Sequence, residues 1–136
     1  MKKILLLVLV GVLVVAFASR VLAPWAWVRA AVDRTAVAHD PAAIAMEHQE
    51  SPLVHFTVLP DLTHAGLVHL PDGEKVKFWF RSHHLSGVSC TRFDFADGSR
   101  EYFKGCFCCE VMLPEDKIRS RADLMAFLQA NHGTKP

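Results

Sequence analysis

The sequence has almost no net charge: Lys and Arg number 15 against 14 Asp and Glu, which leaves +1 at neutral pH and a pI of about 7.8. A nucleic-acid binder needs a basic face or a pI above about 9, so electrostatics gives no reason to expect nucleic acid as a partner. The chain also lacks G-x-S-x-G, H-E-x-x-H and a P-loop, so no familiar hydrolytic or nucleotide site is written in it. No helix start is expected beside its thiols to lower a pKa, which argues against a disulfide oxidoreductase. There is no internal repeat and no low-complexity tract. No cysteine follows the N-terminal apolar run, so the lipid-modified cysteine of a bacterial lipoprotein is not available. An enzyme is left unsupported by these absences, not excluded.

What is present is apolar. With 136 residues, 51% of them hydrophobic and 21% charged, the chain is long enough for one domain and too apolar for a disordered one. Lys2 and Lys3 precede an uncharged run over residues 4–18, the layout of an export signal. As a helix that run is about 22 Å long, short of the roughly 30 Å hydrocarbon core, and Ala16-Phe17-Ala18 before Ser19 has the small-x-small form of a signal-peptidase site. A second reading keeps the segment as an anchor. The helix then continues through Val21, Leu22 and Ala23, Arg20 snorkels, and Trp25 and Trp27 sit at the membrane interface. Residues 1–23 are thus a signal peptide or a signal anchor, and the membrane is a partner if they are retained. The two lysines favour an exported, periplasmic or otherwise extracytoplasmic domain, although Arg20, Arg29 and Arg34 pull against that orientation.

Pro24 opens a helix through Trp25, Val28 and Val32, and Asp40-Pro41 caps a second, over 41–49; together residues 24–51 read as a helical stalk. Residues 52–136 read as a small α+β domain. Strands are expected over 53–59, 66–70 and 75–81, the last two joined by the turn Pro71-Asp72-Gly73-Glu74. Val76, Phe78 and Phe80 fall on one face of the third strand and Lys75, Lys77, Trp79 and Arg81 on the other. A second hairpin pairs 88–95 with 100–105. A three-residue loop, 96–98, puts Phe93, Phe95 and Phe103 on one face and Arg92, Asp94, Arg100 and Lys104 on the other. The chain runs on through 106–114 and ends in a helix with Ser120 and Asp123 as capping box, Leu124, Phe127 and Leu128 as apolar stripe, and Gly133 at the C-cap. The expected fold is an antiparallel meander of about five strands with one C-terminal helix packed across it, around a single core of phenylalanines.

Three of the four cysteines lie in KGCFCCEV. In an extended strand Cys106 and Cys109 are about 10 Å apart, beyond the Cα separation of about 7 Å that a disulfide spans, so complete pairing within the group is disfavoured. Cys90 lies on the same face as Cys106, diagonally across the hairpin, and this pair is the candidate bridge. The metal reading has Cys90, Cys106 and Cys108 converge with His83 or His84 on zinc or copper(I), against a C-x-C-C spacing that is not that of zinc knuckles. No motif requires a cofactor otherwise. Lys75, Lys77, Trp79 and Arg81 form a basic stripe that could hold an anionic ligand or a protein partner, the plainer reading being a solvated strand face. The leading function is a non-enzymatic binding or structural module of the cell envelope. The alternatives are a thiol or metal protein built on Cys90, Cys106 and Cys108, and an enzyme with a site no motif betrays.

Overall fold

Residues 1–83, 86–105 and 113–132 are described by the structure, a computed structural model of the 136-residue chain. Helix α1 (Lys2–Leu22) is 21 residues of almost unbroken aliphatic sequence. Its large side chains lie exposed along its whole length, Leu5 and Leu7 at 72% and Leu22 at 82%. It stops at Ala23, whose backbone leaves the helical region, and Pro24 restarts the chain as α2 (Pro24–Ala38). Proline disfavours helix at the residue before it yet is well suited to the first turn, because its missing N–H is one the helix start does not use.

Among the described residues six strands follow in chain order, each paired with its sequence neighbours: β1 (His48–Gln49), β2 (Val54–Val58), β3 (His64–His69), β4 (Lys75–Ser82), β5 (Ser89–Asp94) and β6 (Arg100–Lys104). All pairings are antiparallel. The β3–β4 turn closes with the Gly73 N–H donating to Leu70 O, Gly73 taking φ +94°. The β5–β6 hairpin has the expected register: Asp94 faces Arg100, Phe95 N–H donates to Ser99 O, and residues 96–98 form the loop, with Gly98 at φ +83°. At the C-terminus α3 (Arg121–His132) starts as anticipated, the Ser120 hydroxyl accepting from Asp123 N–H at 3.4 Å. The reciprocal bond goes one residue earlier, from Arg119 N–H to Asp123 Oδ2.

Strand alternation gives the sheet two buried faces. On one, Val68, Val76, Phe78, Phe80, Phe93, Phe95 and Phe103 pack with Leu113, Ile118, Leu124 and Leu128 from the C-terminal segment and α3. Phe78 and Phe93 are wholly enclosed there and Phe127 packs at the margin. Gly66, opposite Phe78, leaves room for that ring: a Cβ would strike it and the His55 carbonyl. On the other face Ala65, Trp79 and Cys90 pack with Leu59 and with Val28 and Val32 of α2.

The molecule is α+β with the meander and the terminal helix anticipated, and three particulars differ. The core is double, because β4 and β5 carry large apolar residues on both faces, Trp79 and Cys90 as well as the phenylalanines. The segment read as a stalk begins with a helix that is a layer of the folded body: Val28, Ala31, Val32 and Thr35 of α2 are buried against the sheet. The helix expected over 41–49 is a single 3₁₀ turn, Pro41–Ala43, capped by Asp40, after which the chain extends so that β1 can pair with the edge of β2.

Phe78→Ala should lower stability by about 3–5 kcal/mol, read by denaturant unfolding, since it empties a fully enclosed site. Val32→Asp should unfold the domain or release α2, whereas Val37→Asp, at a position 87% exposed on the same helix, should stay within about 0.5 kcal/mol of the parent. Equal effects at the two positions would mean that α2 is not packed on the sheet.

Candidate functional site

A network of charged side chains lies where α2 meets the sheet. Arg92 of β5 is 4% exposed. Its Nε and Nη2 donate to the two carboxylate oxygens of Asp94 at 2.7 and 2.6 Å, and its Nη1 donates to Asp33 of α2 at 2.9 Å. Tyr102 donates its hydroxyl to the same Asp33 oxygen at 2.6 Å, and Arg100 reaches Asp94 at 3.2 Å. Two arginines also lie over aromatic rings here, Arg92 at 5.1 Å from the centre of Trp79 and Arg29 at 4.0 Å from that of Tyr102. Burial disfavours the charge on Arg92, but its bonds to Asp94 and Asp33 outweigh it and strengthen its basicity. Burial likewise raises the Asp94 carboxyl, and the pairing with Arg92 and Arg100 outweighs that, so it stays ionised below the usual range.

Toward the C-terminal end of α2 lies a cavity of about 270 Å³, lined by Arg34, Thr35, His39, Pro60, Asp61 and Arg81 among others. Asp61 belongs to the β2–β3 turn. Its carboxylate accepts from Thr35 Oγ1 at 2.7 Å, from Thr63 N–H at 3.0 Å and from Arg81 Nη1 at 3.1 Å. Desolvation works against its charge and these donors prevail, so its pKa is lowered. The next residue, Leu62, has φ +67° with its side chain 60% exposed. That left-handed conformation is costly for a leucine and clusters at functional positions.

The four residues of the basic stripe do share one face of β4, but α2 and the 3₁₀ turn cover most of it. Trp79 is 2% exposed and donates its indole N–H to His39 O at 3.0 Å, so it is no semi-exposed ring on an open strand. Lys77 pairs with Asp40 at 2.9 Å and Arg81 with Asp61; Lys75 alone of the four is exposed. The open binding face is thereby replaced by internal contacts, with Arg81 as its one member on the cavity wall.

Cys90 is fully buried against the α2 side of the sheet, opposite Lys104. Burial first, and the Asp33 charge second, push its thiol up to about 12, so it is protonated at neutral pH and behaves as a small apolar side chain. Cys106, Cys108 and His84 lie outside the described residues, as does Cys109, so neither the Cys90–Cys106 bridge nor the metal cluster is placed. His83 engages Ser86: its Nδ1 accepts from Ser86 N–H at 3.2 Å and lies 2.9 Å from the Ser86 hydroxyl. Among the described residues, no group of three or more His, Cys, Asp or Glu side chains is placed to hold a metal ion.

Two further histidine groupings flank β2 and β3. His48, Phe56, His64 and Phe80 form a row of ring contacts on one face, and His55 meets His69 edge-on at 5.0 Å on the other. Burial, and then the neighbouring His48, hold His64 below the ordinary histidine range; burial, His55 and Lys75 do the same to His69.

Sequence reasoning missed Asp33, Arg34, His39 and Asp61. The Arg-x-Asp spacing of Arg92 and Asp94 on one strand face, with Arg100 opposite, was the available signal that something charged is held there. Nothing local pointed from Arg92 to Asp33, 59 residues away. Comparison of the chain with protein-family models, curated proteins and solved structures returns no match.

Arg92→Ala should cost about 3 kcal/mol, the lower end of the range for breaking a buried ion pair, because Asp33 is 36% exposed and partly screened. Arg100→Ala, at 48% side-chain exposure, should cost less than about 1 kcal/mol. Denaturant midpoints of both variants decide this. The lowered histidines predict a pH effect of definite sign. The unfolded chain binds these protons more readily than the folded one, so their contribution is present above about pH 6.5 and declines as pH falls through the folded pKa values. A melting temperature that falls between pH 7 and 5, and falls less in His64→Gln, is the expected result; no difference between the two proteins would show that His64 is not responsible.

Proposed function

We propose that the protein is a small membrane-anchored module whose folded domain lies outside the cytoplasmic membrane and binds or organises a partner without catalysing a reaction. The observation that carries this reading is α1. At 21 residues and about 1.5 Å per residue it is about 32 Å long, close to the roughly 30 Å hydrocarbon core, and its apolar side chains have no protein surface to cover. Exposed in water, that much hydrocarbon is unfavourable by about 25 cal/mol per Å².

Retention of α1 is supported by its junction with α2. The small-x-small sequence at Ala16-Phe17-Ala18 is inside a continuous helix, Ser19 donating its hydroxyl back to Ala16 O at 2.9 Å. Just beyond come the side chains of an interfacial belt, Trp25, Trp27, Arg29 and Lys104, with the Lys104 ammonium 5.3 Å from the centre of the Trp25 ring. Lys2 and Lys3 support the outward orientation of the domain. A non-catalytic role is supported by how the ionisable groups around α2 are used: Asp33, Asp61, Arg92 and Asp94 spend their hydrogen bonds on one another and on the helix–sheet contact.

Membranes washed with alkaline carbonate should retain the protein, its intact mass should include residues 1–18, and a reporter that works only outside the cytoplasm should be active when fused after Pro136. A carbonate-soluble chain beginning at Ser19 would overturn the anchor, and a reporter active only in the cytoplasm would overturn the orientation.

A further inference from the structure

We propose that the cavity between α2 and the β2–β3 turn is a binding site for one small anionic group, a carboxylate or a phosphate, held by Arg34 and Arg81 with His39 at its rim. This rests on the reading of the domain as a binding module and supplies the chemistry of its ligand.

The argument begins with an imbalance of charge. Two guanidinium groups and one carboxylate line the recess. The carboxylate of Asp61 is already supplied with donors by Thr35, Thr63 and Arg81, and remains ionised. Arg81 spends one nitrogen, Nη1, on that contact, and a guanidinium carries five N–H donors. Arg34 has no hydrogen bond or ion pair among the described residues. The recess therefore holds one uncompensated positive charge and a surplus of planar donors, the arrangement that suits bidentate recognition of carboxylate or phosphate oxygens. A second recess differs in this respect: Lys75 and Lys77 stand beside Asp40 and Asp94, and Lys77 is already bridged to Asp40.

The walls are held in place. Trp79 fixes the backbone of His39 through the bond to its carbonyl, and Thr35 and Arg81 both bind the Asp61 side chain, tying α2, the turn and β4 together. The strained backbone at Leu62, directly after Asp61, keeps the turn in a conformation that glycine would take more easily. A volume of about 270 Å³ admits a phosphate or a short carboxylic acid.

Full-length protein in detergent micelles is titrated with inorganic phosphate and, separately, with sodium acetate, in a buffer free of other polyvalent anions, and followed by calorimetry. Saturable binding of at least one ion with Kd on the order of 1 mM or tighter is expected, and whichever ion binds more tightly assigns the ligand class. Arg34→Gln should weaken that binding at least tenfold while leaving the melting temperature of the free protein unchanged, because Arg34 is exposed and makes no hydrogen bond or ion pair among the described residues. Arg81→Gln should weaken it too, with some loss of stability through Asp61. Absence of saturable binding by either ion up to about 20 mM overturns the proposal, and so does undiminished binding by Arg34→Gln. Anchoring fails independently: a soluble chain starting at Ser19 would still contain the whole cavity, and a cavity indifferent to anions would leave α1 in the membrane.

Discussion

A guanidinium that has left water must find its counter-charges inside the protein, and Arg92 finds them on two different elements. Asp94 neutralises it from its own strand and Asp33 from α2. Removing α2 would leave a buried cation short of a partner and uncover Trp79 and Cys90 at once, so polar and apolar terms act in the same direction. Tyr102 adds its hydroxyl to Asp33, which ties the edge strand β6 to the same helix. The face of the sheet that carries the cavity exists as a surface only because this contact holds α2 against it.

The strand β4 serves two cores. Phe78 and Phe80 enter the one shared with α3, and Trp79 between them enters the one shared with α2. Such a strand has no solvent face in its middle, and charged residues are found toward its ends, Lys75 at one and Arg81 at the other. The same division explains why both helical layers are needed. Either face left open would expose aromatic surface that no polar residue covers.

What was legible in the sequence was local. The turns at Gly73 and Gly98 announce themselves because a positive φ demands glycine within a few residues of the strands it joins, and register then follows from alternation. The α3 start was legible for the same reason, a cap and its apolar stripe lying within eight residues. Trp79 was misjudged because its neighbours Lys77 and Arg81 look like a wet face; their partners Asp40 and Asp61 are distant in sequence, and only the folded chain brings them together. The docking of α2 was illegible for a related reason. Val28 and Val32 give it an apolar side, but a short amphipathic stripe reads equally as stalk or as layer until its complement on the sheet is known. The cavity depends on three segments meeting, and no single stretch of sequence records that.

The junction at Ala23 has a mechanical consequence. Where a transmembrane helix is followed by a flexible linker, the attached domain explores a volume set by the linker's length and is free to tumble within it. Here one residue separates α1 from a helix locked into the fold, so with α1 in a bilayer the domain has no leash. Its sheet would stay close to the lipid surface, with the angle between α1 and α2 set at Ala23. The far end of α2, about 22 Å along its axis from Pro24, would face the compartment at a nearly constant height above the headgroups. A ligand or partner would thus be met close to the membrane surface, which narrows what the protein can reach.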